Sequence, residues 1–250
     1  MNHRLPNFVI VGAQKSGTSW LHRALGKSSS IFASEDKELN FFNKPNFDKK
    51  LADYKLNFPV SDGTRYYLET TPHYFQNPRE SFDIASNIKA CLGEPKIIVI
   101  LRNPVDRYES AYIHHMMKGR IPYSPQIEEM TDQNKMLTLG HYSQILRHWQ
   151  GIFPDMGVFF YDDLVADRLE LIRKVHEHLG VESDVKRRDL KFRSNAKKKK
   201  ANRLWDEATV IPEMTADLRA RLLEYYADGI RELQGMTGRD LSHWLSRRDT

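Results

Sequence analysis

Apolar positions along this chain follow two patterns. In the first they run without interruption, as in Phe8-Val9-Ile10-Val11 and Ile97-Ile98-Val99-Ile100-Leu101. Runs this short that do not alternate with polar residues predict strands buried on both faces. Residues 7–12, 66–69, 96–101 and 157–161 are read as such strands. In the second pattern, apolar residues recur every three or four positions, which predicts helices. Residues 17–27 carry Trp20, Leu21, Ala24 and Leu25 on one face, and Gly26 ends the run. Further helices are predicted over 79–91, from 104 to about 118, over 140–150, over 164–179 with Gly180 as the stop, and over 215–234. The last of these buries Leu218, Leu222, Tyr226, Ile230 and Leu233. Residues 119–136 read as a polar excursion. Strands alternating with helices predict an α/β fold: a P-loop-like, mainly parallel central sheet flanked by helices on both faces.

Two loops stand where such sheets bind ligands, beyond the carboxyl ends of the strands. The first is Gly12-Ala13-Gln14-Lys15-Ser16-Gly17-Thr18-Ser19, between the first strand and its helix. A glycine-bounded turn at a helix N-terminus offers backbone N–H groups and the positive end of the helix dipole to an anion. The spacing of Gly12 and Gly17 is that of a P-loop, but Thr18-Ser19 follows where a nucleotide triphosphatase has Lys and Ser or Thr. The lysine lies earlier, at Lys15, and so reaches a different part of the ligand. The second loop begins at Arg102, directly after the strongest strand. Asn103 suits an N-cap, Pro104 the first helical position and Asp106 the first turn. Ser110 lies two turns into that helix, spaced to share a face with Arg107 and His114. An arginine and a serine acting together suit a terminal phosphate.

Composition narrows the class. A length of 250 residues, with 40% hydrophobic and 11% aromatic content, suits one domain spanning 1–250. No stretch approaches the roughly 20 apolar residues of a membrane span. The first residues leave no room for a signal peptide's apolar segment. The single cysteine, Cys91, fits a reducing compartment, so a cytoplasmic location is expected. A net charge of +5 points to an anionic partner. No metal site is expected, because the ten histidines show no metal-ligand spacing. The run Lys197-Lys198-Lys199-Lys200 has no interleaved aromatics, so no nucleic-acid partner is expected.

The segments 12–19 and 102–112 together resemble the two nucleotide-binding signatures of the PAPS-dependent sulfotransferases, PAPS being 3'-phosphoadenosine 5'-phosphosulfate. Lys37-Glu38-Leu39-Asn40-Phe41-Phe42 is similar to the Lys-Glu-x-x-Phe-Phe element of the heparan-sulfate-type branch. Glu69-Thr70-Thr71-Pro72-His73-Tyr74-Phe75 resembles that branch's Glu-x-Ser/Thr-Pro-x-Tyr-Phe. Gly140-His141-Tyr142 with Leu146 and Trp149, and Gly238-Arg239-Asp240-Leu241-Ser242 with Trp244, extend the likeness over nearly the whole chain. Asn43 and Thr70 stand where relatives often carry Asp and Lys, which bears on the acceptor more than on the reaction.

This resemblance implies sulfuryl transfer from PAPS, leaving the product PAP. It leaves carbohydrate, lipid or polyketide hydroxyls and amines open as acceptors, and a hydroxyl on a glycan or a natural product is the expected one. Lys15 would contact the bridging oxygen between phosphate and sulfate. Ser16, Gly17, Thr18 and Ser19 would add donors, and Arg102 and Ser110 would hold the 3'-phosphate. Glu38, desolvated by the neighbouring Phe-Phe pair, would be the base, and His114 would assist, with His115 as its alternative. Phe192 would stack on adenine, and Lys198, Lys199 and Lys200 would lie in a basic loop over cofactor or acceptor. Two other readings share parts of these features. A small-molecule P-loop kinase needs a lysine directly after Gly17 and an acidic magnesium ligand at a strand end. A non-catalytic polyanion-binding protein needs neither Glu38 nor Lys15.

Overall fold

The computed structural model describes residues 2–79, 82–192 and 210–246. They group into two compact units, one formed by the residues up to Leu101 together with Ile145–Phe192, the other by Arg102–Gln144 together with the described residues from 210 on.

The first unit is built on five parallel strands. They are β1 (Phe8–Gly12), β2 (Ile31–Ala33), β3 (Tyr66–Thr70), β4 (Lys96–Leu101) and β6 (Gly157–Phe160), in the order β2-β3-β1-β4-β6. Every residue of β1 and β3 is buried, and so are the last five of β4. Side chains alternate faces along a strand, so continuous burial means that both faces are covered. One face packs Phe8, Ile10, Leu68, Ile98 and Ile100 against Leu21 and Leu25 of α1 (Thr18–Leu25) and Ile172 and Val175 of α7 (Arg168–Leu179). The unit also holds α2 (Leu51–Lys55), α3 (Ile84–Leu92) and the buried Leu146, Trp149 and Phe153 of and beside α5 (Tyr142–Ile152). Phe75 packs on Trp149, and Trp149 Nε1 donates to the Gln76 carbonyl.

Several elements differ from the sequence expectation at their ends, for local reasons. The helix expected over 79–91 begins at Ile84 because Asp83 caps it, accepting from Ala85 N. The helix expected over 164–179 is two, α6 (Tyr161–Ala166) and α7, with Asp167 extended between them. The Asp167 carboxylate accepts from Leu169 N and Glu170 N, so the residue that ends one helix starts the next. Gly180 closes α7 in the left-handed conformation, as expected. The three-residue β2 has too short an apolar run to be read from sequence.

The second unit contains α4 (Pro104–Met117), the strand pair β5 (Gln126–Ile127) and β7 (Glu213–Met214), α8 (Ala216–Thr237) and the short α9 (Ser242–Leu245). The start of α4 is as the sequence predicts: Asn103 accepts from Val105 N, and Pro104 opens the helix. All five apolar residues predicted for the last long helix are buried on α8. Arg219 of α8 pairs with Asp106 at 3.0 Å and Glu109 at 3.3 Å on α4.

Candidate functional site

The neighbouring ends of β1, β3 and β4 carry the first unit's candidate residues. In register, Ile10 of β1 faces Thr70 of β3, and Gly12 faces Val99 of β4. Beyond the strand ends the chain stays tied: Ala13 N donates to the Ile100 carbonyl, Thr71 N to Ile10 and Phe75 N to Val11. Both glycines of the first loop are required by their surroundings. A Cβ on Gly12 would lie 2.5 Å from Phe75 Cβ, and one on Gly17 2.9 Å from Leu164 on α6. Gly17 also holds φ +93° as the residue before α1. Lys15 adopts a left-handed φ of 69° and is half-buried. Ser16 Oγ is fully buried without a protein partner, and Thr18 is buried at the first turn of α1. A buried hydroxyl without a partner, in a loop that admits no extra carbon, suits a bound oxyanion. The loop thus fits the phosphosulfate end of PAPS, to which Lys15, Ser16, Gly17, Thr18 and Ser19 would contribute.

Glu38 comes to the same strand ends through its backbone, whose N–H donates to the Thr70 carbonyl at 2.9 Å. Its carboxylate pairs with Lys37 at 2.5 Å. The desolvation expected of Glu38 is not seen: its side chain is 43% exposed, and it is Lys37, at 17%, that is largely covered. Burial lowers the Lys37 pKa, and the adjacent Glu38 partly offsets this. The Phe-Phe pair instead points inward. Phe41 stacks on Tyr54 at 3.9 Å, and Phe42 packs edge-on against Phe47, Tyr54 and Tyr74.

Three features of this region were not assigned a role from sequence. Glu69 of β3 is fully buried beneath that aromatic cluster and accepts from Tyr54, Tyr74 and Thr71. Burial raises its pKa, and the three hydroxyl bonds act against that rise. Gln14 of the first loop meets His73 Nε2 at 3.0 Å. His22 of α1 bonds the Thr70 hydroxyl at 2.8 Å and the Ser34 carbonyl at 3.0 Å, and burial lowers its pKa to about 4. The Glu69 signal was present in the Glu-x-Ser/Thr-Pro-x-Tyr-Phe match, where His73 falls on an unspecified position, but period-two burial alone reads Glu69 as an ordinary strand residue.

Phe192 lies against the first unit's core, stacked on Trp20 at 5.7 Å with the Arg23 guanidinium 4.3 Å from its ring centre. Lys198, Lys199 and Lys200 lie outside the described residues.

In the second unit, Arg102 is half-buried and Ser110 is buried on α4. Arg107 is buried and donates to the Met136 carbonyl, which gives it a structural task. His114 is half-buried, whereas His115 is 1% exposed and lies 3.4 Å from an Arg120 nitrogen. Of the two, His114 is the one with access to solvent.

The sulfotransferase domain family matches this chain over residues 5–221, a span that crosses both units. Human bifunctional heparan sulfate N-deacetylase/N-sulfotransferase 2 is 30% identical over 200 residues, covering 71% of this chain and 22% of that protein. Human heparan sulfate glucosamine 3-O-sulfotransferase 3B1 is 28% identical over 261 residues, covering 95% of this chain and 64% of that protein. The chain therefore spans less than two thirds of the curated relatives it matches. Among solved structures, a sulfotransferase from Alicyclobacillus acidocaldarius aligns with a TM-score of 0.74 at 25% identity, covering 97% of this chain and all of that one.

Proposed function

The chain belongs to the sulfotransferase domain family, and from that membership we propose that it moves a sulfuryl group from PAPS to an acceptor hydroxyl by in-line displacement at sulfur, releasing PAP. The observation that carries this reading is the first loop: a P-loop-like turn with its lysine inside it, closed to any added carbon at Gly12 and Gly17, holding a buried hydroxyl with no protein partner. Such a loop favours an anion without the lysine directly after Gly17 that a kinase requires.

PAPS supplies the activated sulfuryl group when bound. The chain's own residues supply binding, charge and proton transfer. Lys15 opposes the charge that grows on the departing phosphate oxygen, where a preformed cation lowers the barrier. Ser16, Gly17, Thr18 and Ser19 hold the 5' end. Arg102 and Ser110 hold the 3'-phosphate, on the strength of their match to the family's second signature. Glu38 takes the proton from the attacking hydroxyl, and His114 assists. An exposed carboxylate paired with Lys37 is accessible to an acceptor, which a buried one is not. Phe192 with Trp20 offers an apolar wall for adenine.

The acceptor is proposed to be a glycan or natural-product hydroxyl. The glycan side draws on relatives named for heparan sulfate and its glucosamine 3-hydroxyl. Residues 1–250 act as one functional domain in this reading, in a reducing, cytoplasmic setting suited to the lone Cys91. Among the described residues no helix is long and apolar enough to cross a membrane.

The test is an acceptor panel with PAPS, containing glycans with free or acetylated amines and simple alcohols, scored by a mass gain of one sulfuryl group. Transfer is expected to acetylated as well as free-amine glycans, because the nucleophile is a hydroxyl. In Glu38→Gln, turnover should fall on the order of 10²–10⁴-fold with PAP binding kept. Wild-type turnover in that variant would remove Glu38 as the base.

A further inference from the structure

Glu69 places a carboxylate, fully buried, one residue before the end of β3. Its Oε1 accepts from the Thr71 hydroxyl at 2.9 Å and the Tyr74 hydroxyl at 2.7 Å, and its Oε2 from the Tyr54 hydroxyl at 2.5 Å. All three hydroxyls donate to the carboxylate oxygens, and each hydroxyl has one proton to give. Once Thr71 and Tyr74 have given theirs to Glu69, their oxygens can only accept from anything else. They do so from three consecutive backbone amides: Asn40 N donates to Thr71 Oγ1 at 3.3 Å, and Phe41 N and Phe42 N to the Tyr74 oxygen at 2.8 and 3.2 Å.

Those amides belong to the segment that carries Glu38. Its other end is tied by Glu38 N to the Thr70 carbonyl, one residue beyond Glu69. Between the ties, Glu38 and Asn40 hold left-handed φ values of 65° and 52°. A glutamate keeps that conformation only where its surroundings impose it, and Asn40, which adopts it readily, adds a tie of its own by donating from Nδ2 to the Glu38 carbonyl. Phe41 and Phe42 seal the carboxylate from water, stacked on and against the rings of Tyr54 and Tyr74.

We propose that Glu69 is a positioning residue for Glu38: as a buried acceptor it orients the Thr71 and Tyr74 hydroxyls, and these hold the 40–42 backbone that aims Glu38. This rests on the reading of Glu38 as the base in sulfuryl transfer. Glu69 touches no reacting atom in this account.

Glu69→Gln keeps the shape but puts an NH₂ where a hydroxyl now donates. Facing Thr71 and Tyr74, that NH₂ turns a hydroxyl proton toward the amides it presently accepts from, and the loop loses a tether. Facing Tyr54, it leaves Thr71 and Tyr74 on a neutral amide oxygen, a weaker acceptor than the carboxylate, and the tethers slacken. The expected result is a kcat lowered on the order of 10–10²-fold, the cost of a misplaced group, with the KM for PAPS within about twofold of wild type. In the Glu38→Gln background, Glu69→Gln should add little, because the group it aims is gone. Losses that multiply, or a wild-type kcat in Glu69→Gln, overturn the proposal. Tyr74→Phe, which removes one hydroxyl and keeps the ring, serves if Glu69→Gln does not fold, and the same split is expected of it. Amide hydrogen exchange separates the failures. Faster exchange at 40–42 in Tyr74→Phe is expected whether or not the wild-type chain transfers sulfuryl, and unchanged exchange there overturns the hub itself. A wild-type chain inert with PAPS and every acceptor would instead sink the functional reading.

Discussion

Lys15 shows how a single side chain separates this loop from a nucleotide triphosphatase. It sits inside the turn, in a left-handed conformation, rather than after Gly17. Removing its charge in Lys15→Ala should lower kcat on the order of 10²–10³-fold, as loss of one preorganised donor does. Single-turnover assays with PAPS check this, and a variant as fast as wild type would remove Lys15 from the transition state. His22 makes a different residue-scale prediction. Burial lowers its pKa from 6.5 to about 4, so between those values the unfolded chain binds a proton that the folded one refuses. This contribution to stability is intact above pH 6.5 and is lost as the pH falls toward 4, by about 3 kcal/mol at most. Urea unfolding of wild type and His22→Asn from pH 4 to 7 should give a shallower decline for the variant. Equal slopes would mean that His22 does not drive the acid sensitivity.

Helices behind the loops set what the loops can tolerate. Leu164 and Tyr161 of α6 stand 2.9 and 3.1 Å from where a Gly17 side chain would begin. Gly17→Ala should therefore cost about 1–3 kcal/mol of stability through overpacking, with more from the left-handed backbone. Chemical denaturation measures that cost, and calorimetry with PAP should show weakened binding alongside it. α6 exists as a separate element because Asp167 interrupts the helical run and caps α7. At the other loop, Asn103 both caps α4 and donates to the Trp244 carbonyl within the second unit. Asn103→Ala should cost about 1 kcal/mol by thermal or urea unfolding, as loss of an N-cap does.

At the scale of the whole molecule, one family match runs over residues 5–221, and the proposed ligand is a nucleotide. PAP at a hundred times its dissociation constant should then raise the apparent stability by roughly 2.7 kcal/mol without magnesium. ATP with magnesium should raise it far less. Differential scanning fluorimetry decides this, and the reverse preference would favour a kinase. With a net charge of +5 and a dianionic terminal phosphate as ligand, the PAP-induced shift should shrink as salt rises.

Patterns that repeat over short stretches were readable in advance. The continuous runs at Phe8–Val11 and Ile97–Leu101, the start of α4 at Asn103-Pro104, and the five-residue apolar stripe of α8 all appear where local periodicity and capping put them, because each depends on neighbours a few residues away. The parallel sheet and the family likeness followed from those elements and from motif order. The surroundings of Glu38 did not. Its flanking phenylalanines looked like a desolvating pair beside the carboxylate, yet they turn inward to seal Glu69, and Glu38 is left exposed beside Lys37. Whether Glu38 is buried depends on Tyr54 and Glu69, 16 and 31 positions further along the chain. Such contacts exist only once β3 lies beside β1 and brings its far end to the loop.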